Sequence, residues 1–191
     1  MTSGAGPQEV EVKLPATDLA DVRRRLEELG ATLEEERHDE SNDLFDDAAG
    51  SLAGSGRALR LRRAQGRGIL TFKGAARFTQ GVKSREERET VVGEPGEMEA
   101  ILERLGFRRK FRYEKRREEW RFSDCDVALD ETPIGDFVEI EGDPAAIRKA
   151  VAALALDFAS AIPYSYAGLY ARKRKEDPAL PEDMVFAAPP R

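Results

Sequence analysis

Fourteen charged residues fall in phase along stretches where charged and apolar side chains alternate. Seven are acidic: Glu9, Glu11, Glu87, Glu89, Asp130, Glu139 and Glu141. Seven are basic: Lys13, Arg60, Arg62, Lys73, Arg85, Lys115 and Arg117. Residues two apart on a strand share a face. Gathered into one cavity, the carboxylates could hold a hard divalent cation such as Mg²⁺ or Mn²⁺, which prefers oxygen ligands. Arg could grip phosphoryl oxygens with forked donors and Lys as a point charge. Packing both signs together costs much desolvation unless they pair or meet a ligand. The ligand that suits both sets is a metal-bound polyphosphate. Phosphoryl transfer asks a protein mainly for positioning and charge stabilisation. The scarcity of His and Cys, with only His38 and Cys125 present, is therefore no obstacle.

The elements that must position these residues can be read from periodicity. Gln8 to Leu14 alternates, with Glu9, Glu11 and Lys13 opposite Val10, Val12 and Leu14. A helix follows from about Asp18 to Leu29, with Leu19, Val22, Leu26 and Leu29 as its apolar stripe and Gly30 as its stop. Further strands are predicted over 32–45, 58–62, 69–73, 82–92, 107–122, 126–130 and 136–141. Gln65 to Gly68 supplies a hairpin turn. Short helices are expected at 98–105, 144–156 and 164–172, a loop at 47–56, and a loose tail from Glu176. Eight strands joined mostly by short turns suggest an antiparallel sheet that closes or nearly closes, with helices outside. If helices cover the apolar faces, the charged faces look inward.

Composition removes several classes of function. The 191 residues carry 31 Lys+Arg and 37 Asp+Glu, a net charge of -6. The acidic balance argues against nonspecific nucleic-acid binding. No apolar run approaches the roughly 20 residues of a membrane span, and no secretory leader is legible at the start. One cysteine excludes an internal disulfide and a cysteine-rich zinc site. One histidine removes the usual hydrolase triads. A cytoplasmic protein without a membrane partner is expected. The charges are unevenly placed: residues 57–121 are net basic, and the flanks on either side are net acidic.

Glu9-Val10-Glu11-Val12-Lys13 resembles the ExExK signature of the CYTH superfamily, the triphosphate tunnel metalloenzymes. The resemblance continues in order. It runs through Phe45-Asp46, Arg60-Leu61-Arg62, Phe72-Lys73-Gly74 and Arg85-Glu86-Glu87-Arg88-Glu89. It goes on through Lys115-Arg116-Arg117 with Trp120, Leu129-Asp130, Gly135 to Glu141, and Ser165-Tyr166. It spans roughly residues 8–170 and implies an α+β, mainly β fold. The fold would be a closed eight-stranded antiparallel β-barrel tunnel with flanking helices. The domain organisation it implies is a flexible start at 1–7, a tunnel domain at 8–175 and a tail at 176–191.

The resemblance also implies roles. Glu9, Glu11, Glu139, Glu141 and Asp130 would be metal ligands for Mg²⁺ or Mn²⁺. Lys13, Arg60, Arg62, Lys73, Arg85, Lys115 and Arg117 would clamp phosphates. Glu87, Glu89 and Lys13 would take part in catalysis. The substrate would be inorganic triphosphate, thiamine triphosphate or a nucleoside triphosphate, cleaved at a phosphoanhydride bond. Conversion of ATP to cyclic AMP and pyrophosphate, as in class IV adenylate cyclases, is the alternative reading, and a non-catalytic polyphosphate- or nucleotide-binding module is the third. Arg88, Arg116 and Glu86 fall out of phase and are read as surface. His38 is read as a solvated strand residue, and Cys125 and Trp120 as packing.

Overall fold

The computed structural model describes residues 7–187. These residues form nine strands and five α-helices. The strands are β1 (Gln8–Ala16), β2 (Thr32–Asp46), β3 (Ala58–Ala64), β4 (Arg67–Lys73), β5 (Arg77–Thr79), β6 (Val82–Val92), β7 (Arg108–Phe122), β8 (Cys125–Thr132) and β9 (Gly135–Gly142). The helices are α1 (Leu19–Glu28), α2 (Ser51–Gly54), α3 (Pro95–Arg104), α4 (Pro144–Ala153) and α5 (Tyr166–Glu176).

Every strand pairing is antiparallel. The order is β1-β9-β8-β7-β2-β3-β4-β6-β5, and β1 also pairs with β6. That second pairing closes eight strands into a barrel. The ninth, β5, was not legible in the sequence. It pairs only with the first residues of β6, on the edge that β4 leaves free where it stops at Lys73.

Local chemistry accounts for the elements. Gln65 and Gly66 both take positive φ, at 49° and 74°, the geometry of the two-residue hairpin that joins β3 to β4. Asp18 starts α1 by accepting from the Ala20 and Asp21 N–H groups at 2.8 and 3.2 Å. Pro95 and Pro144 open α3 and α4. Asp46 holds the short α2, inside the stretch read as loop, by accepting from the N–H groups of Asp47, Leu52 and Ala53. Phe45 beside it is buried against Leu61 and Leu102. The aromatic–Asp pair is thus a structural anchor.

The apolar cores lie outside the barrel. Val12, Leu14, Val127, Leu129, Val138 and Ile140 from β1, β8 and β9 pack under Val22 and Leu26 of α1 and Ile147 and Val151 of α4. Cys125 and Trp120 are buried here, as expected. Leu102 of α3 covers Leu61 of β3. A third cluster, with Tyr113, Phe137, Tyr166, Tyr170 and Met184, closes one end. Because apolar faces point outward under helices, the alternate residues point into the lumen.

Residues 177–187, expected to belong to a loose tail, are held instead. Met184 pairs with Tyr113 in a parallel bridge and is 1% exposed. Its N–H donates to the Arg112 carbonyl and its carbonyl accepts from Glu114, both at 2.9 Å. Asp183 accepts from Arg109 Nη1 and from the Arg112 N–H, both at 2.7 Å. The expected flexible start at 1–7 falls outside the described residues, apart from Pro7, whose carbonyl accepts from the Glu87 N–H at 3.1 Å.

Candidate active site

The lumen is a cavity of about 350 Å³. Thirteen of the fourteen in-phase charges line it. Asp130 does not: it lies fully buried behind the wall. Its carboxylate is saturated, accepting from Lys115 Nζ at 3.2 Å, Arg117 Nε and Nη2 at 2.7 and 2.6 Å, and the Tyr166 hydroxyl at 2.6 Å. Arg88 is exposed, and Glu86 and Arg116 lie outside the lumen, as their phase predicted.

Strand register dictates most of the pairings. Lys13 faces Glu139 across β1 and β9, Lys73 faces Glu87 across β4 and β6, and Lys115 faces Glu40 across β7 and β2. Each couple forms an ion pair: Lys13 Nζ is 3.1 Å from Glu139, and Lys115 Nζ is 3.4 Å from Glu40. Burial alone would raise the Glu139 carboxyl, but Lys13, Arg117 and Lys115 hold it well below the usual carboxylate range. Lys13 also sits 3.6 Å from the ring centre of Tyr166. The Ser165-Tyr166 pair explains that contact: Ser165 caps α5, so Tyr166 opens the helix pointing at Lys13 and Asp130.

One row breaks the pattern. Glu11 of β1 faces Glu141 of β9, which faces Asp126 of β8, so three carboxylates stand side by side. Like charges directly opposite are destabilising. Lys83 pairs with Glu11 and Arg121 with Asp126, but Glu141 has no ion pair among the described residues. Glu141 is exposed to solvent, yet protein crowds its carboxyl. Burial and the charges of Glu9, Glu11, Asp126 and Glu87 push its carboxyl up to about 7. Glu9 is raised as well, mainly by burial and by the neighbouring Glu87, although its buried Oε2 lies 3.5 Å from Lys73 Nζ. Beside these carboxylates the lumen opens into a second recess of about 190 Å³, where Glu34, Glu119 and Asp126 add negative charge.

The guanidinium groups are only partly matched. Arg60 is 6% exposed, donates to Thr71 at 3.0 Å and lies 3.6 Å from Glu87 and 3.8 Å from Glu89, but its Nε has no partner. Arg85 stands opposite Glu9 in register, yet it donates twice to the Gly74 carbonyl and meets no carboxylate at ion-pair distance among the described residues. The lumen therefore holds carboxylates short of cation beside guanidinium groups short of anion.

The CYTH domain profile matches residues 7–163. The chain belongs to the CYTH family. A Methanocaldococcus jannaschii protein named as a candidate adenylate cyclase is 28% identical over 134 residues, 70% of this chain and 75% of that one. Two solved structures share the CYTH fold. A candidate adenylate cyclase from Vibrio parahaemolyticus has a TM-score of 0.75 at 21% identity, over 87% of this chain and 99% of its own. A candidate adenylyl cyclase from Hippeastrum, described as having a dominant triphosphatase activity, has a TM-score of 0.63 at 23% identity, over 91% and 98%.

The CYTH lumen also holds residues that the sequence reading passed over. Lys83 lies in phase with Arg85, and Tyr113 with Lys115, so alternation alone could have found both. Burial would raise the Tyr113 phenol, but Arg60, Lys115 and Arg62 bring it below its usual range. Glu40 escaped because β2 slips register against β7 twice between Leu33 and His38, which hides its phase. His38 is not simply solvated: its side chain is 11% exposed and lies beside Glu40.

Proposed function

We propose that this CYTH chain is a divalent-metal-dependent enzyme that cleaves a phosphoanhydride bond of a triphosphate. The observation that carries this reading is one cavity lined by two incompletely matched charge sets. Glu11 and Glu141 face each other with only Lys83 at ion-pair distance among the described residues, while Arg85 meets no carboxylate at that distance and Arg60 keeps a buried Nε without a partner. A linear triphosphate with a divalent cation supplies what both sets lack.

The donor set fits Mg²⁺ or Mn²⁺, because the spare ligands are carboxylate oxygens. Among the described residues no three acidic groups converge into a finished metal cage, so substrate oxygens and water would complete the shell. Glu9, Glu11 and Glu141 would hold the ion, which when bound neutralises phosphate charge and polarises the bond to be broken. Arg60, Arg62, Arg85 and Lys115 would hold the phosphoryl oxygens and stabilise charge on the leaving oxygen. Lys13, steadied by Glu139 and Tyr166, would contact the same oxygens. Glu87 is the better placed carboxylate to orient the attacking water: burial opposes its charge, but Glu9, Lys73 and Arg60 keep its carboxyl below the usual value and therefore ionised. Glu89, beside Thr71 and Arg60, would assist at the wall. Asp130 and Glu139 would aim Lys115, Arg117 and Lys13 as positioning residues.

The deciding assay offers inorganic triphosphate, thiamine triphosphate and ATP, each with Mg²⁺ or Mn²⁺, and resolves the products. Orthophosphate is expected. Cyclic AMP with pyrophosphate from ATP would replace hydrolysis by the cyclase reading, which the name of the archaeal relative favours. Absence of any turnover would overturn the enzymatic reading.

The state of Glu141 gives a pH signature. Its folded-state pKa lies above the unfolded value of 4.5. The carboxyl therefore favours the fold below about 4.5 and opposes it progressively as pH rises through about 7. A dication that binds the ionised form relieves that opposition. Mg²⁺ or Mn²⁺ should accordingly raise Tm more at pH 8 than at pH 5.5, with Glu141→Gln flattening the dependence. A dication-induced Tm shift that does not vary with pH in the unmodified protein would refute the assignment.

A further inference from the structure

Glu40 is a buried carboxylate with no part in the chemistry above. Its side chain is 1% exposed. Oε1 lies 3.0 Å from Arg62 Nη1, and Oε2 lies 3.4 Å from Lys115 Nζ. Asn42 braces the group, donating to Glu40 Oε2 at 3.4 Å and accepting from Arg62 Nε at 3.1 Å. Arg62 and Lys115 both line the lumen, so one carboxylate aims two cations of the phosphate clamp.

Its remaining neighbour is His38, two residues back on the same face of β2. His38 Nε2 lies 3.7 Å from Glu40 Oε1, the oxygen that Arg62 also uses, and 3.8 Å from Glu35 Oε2. Nδ1 lies 2.9 Å from the Glu36 carbonyl, an acceptor, so the Nδ1 proton is fixed and Nε2 is left to face the carboxylates. From β7, Arg117 stands opposite His38 and Lys115 opposite Glu40. Arg117 is already engaged by Asp130 and Glu139. From β3, Arg62 faces Glu40.

We propose that His38 and Glu40 form a positioning pair for the clamp. Protonation of His38 draws Glu40 toward the imidazolium and loosens its hold on Arg62, which shares Oε1 with His38, and Arg62 turns toward a bound polyanion while Lys115 stays tethered by Asp130. This rests on the reading of the lumen as a triphosphate site. Two trends agree with it. Burial would raise the Glu40 carboxyl, but Lys115, His38 and Arg62 keep it well below the usual range, so it stays an anion. Contact with Glu40 raises His38 above 6.5 against partial burial.

The sign follows. At low pH the pair carries an extra positive charge beside a freer Arg62, and anion affinity is high. As His38 loses its proton, Glu40 retains Arg62. The test measures Kd of the full chain for inorganic triphosphate, with chelator and no divalent cation, from pH 6 to 9. It compares the unmodified protein with His38→Gln. The ratio of the two Kd values cancels the titration of the triphosphate and of other groups.

His38→Gln should bind about three- to tenfold more weakly at pH 6 and equally at pH 9. A ratio of one throughout, or a constant deficit at every pH, would overturn the pair, the latter marking a merely structural loss. In a Glu40→Gln background, His38→Gln should add nothing, and a surviving pH-dependent difference there would overturn transmission through Glu40. An unmodified protein that binds no triphosphate at any pH sinks the triphosphate reading itself, a result distinct from the others.

Discussion

Glu11→Gln is expected to lower dication-dependent orthophosphate release from inorganic triphosphate by roughly a hundredfold or more, because even indirect ligand partners are typically worth 10–100-fold. The amide keeps the shape of the side chain but removes the anion from the row of Glu11, Glu141 and Asp126. Two consequences separate this from general damage. First, the repulsion between Glu11 and Glu141 disappears, so thermal stability should hold or rise. Second, Lys83 loses its only carboxylate partner among the described residues, which adds a free cation to the lumen. Triphosphate binding without metal should therefore be undiminished. The measurements are kcat with Mg²⁺ or Mn²⁺ and Kd under chelation. Full turnover in this variant would remove Glu11 from the proposed metal ligands, and weakened metal-free binding would contradict the account of Lys83.

Asp130→Ala should be the most destabilising single change at the site. The carboxylate is fully buried and takes four donors from Lys115, Arg117 and Tyr166. Deleting it strands buried charge, which typically costs about 3–5 kcal/mol. For a chain of this length that corresponds to a fall in Tm of roughly 6–20 °C. Tyr166 is implicated too: burial and the nearby Asp130 and Glu139 charges drive its phenol well above the ordinary value, so it remains a donor at any working pH. Losing its acceptor should loosen the start of α5 over the lumen. Thermal unfolding without ligand measures the effect directly. A shift of under two degrees would show that Lys115 and Arg117 find other partners.

The lumen was legible because period-two alternation survives where strands are regular. Arg60 and Arg62, Glu87 and Glu89, and Lys115 and Arg117 stand on the inner face as their spacing requires. Alternation reports a shared face, but it cannot report depth or partners. Asp130 belongs to the inner face of β8, yet whether it meets the cavity or saturates behind the wall depends on Tyr166, which arrives from α5. Glu40 and His38 were obscured by the slipped register of β2, whose run from Glu34 to Asn42 is polar in both phases. The closing segment was missed for another reason. Met184-Val185-Phe186 is too short an apolar run to show a period, and only the aromatic cluster around Tyr113 and Tyr170 gives Met184 a place. The three-residue β5 is too short to leave a pattern.

The seam that closes the barrel bears on how the chain folds. β7, β8 and β9 are successive hairpin neighbours, and β3 and β4 form another. These can assemble early, since short loops are cheap to close. β1 and β2 are the opposite case: β1 must find β6 and β9, and β2 must find β7, all far away in sequence. Topologies dominated by such distant pairings fold slowly. Until these strands dock, the two charge sets are not assembled, and their carboxylates and guanidinium groups remain hydrated. Docking strips that water from all of them together. Closing these long-range pairings creates the site, and a polyanion that binds the closed lumen would stabilise the barrel against opening.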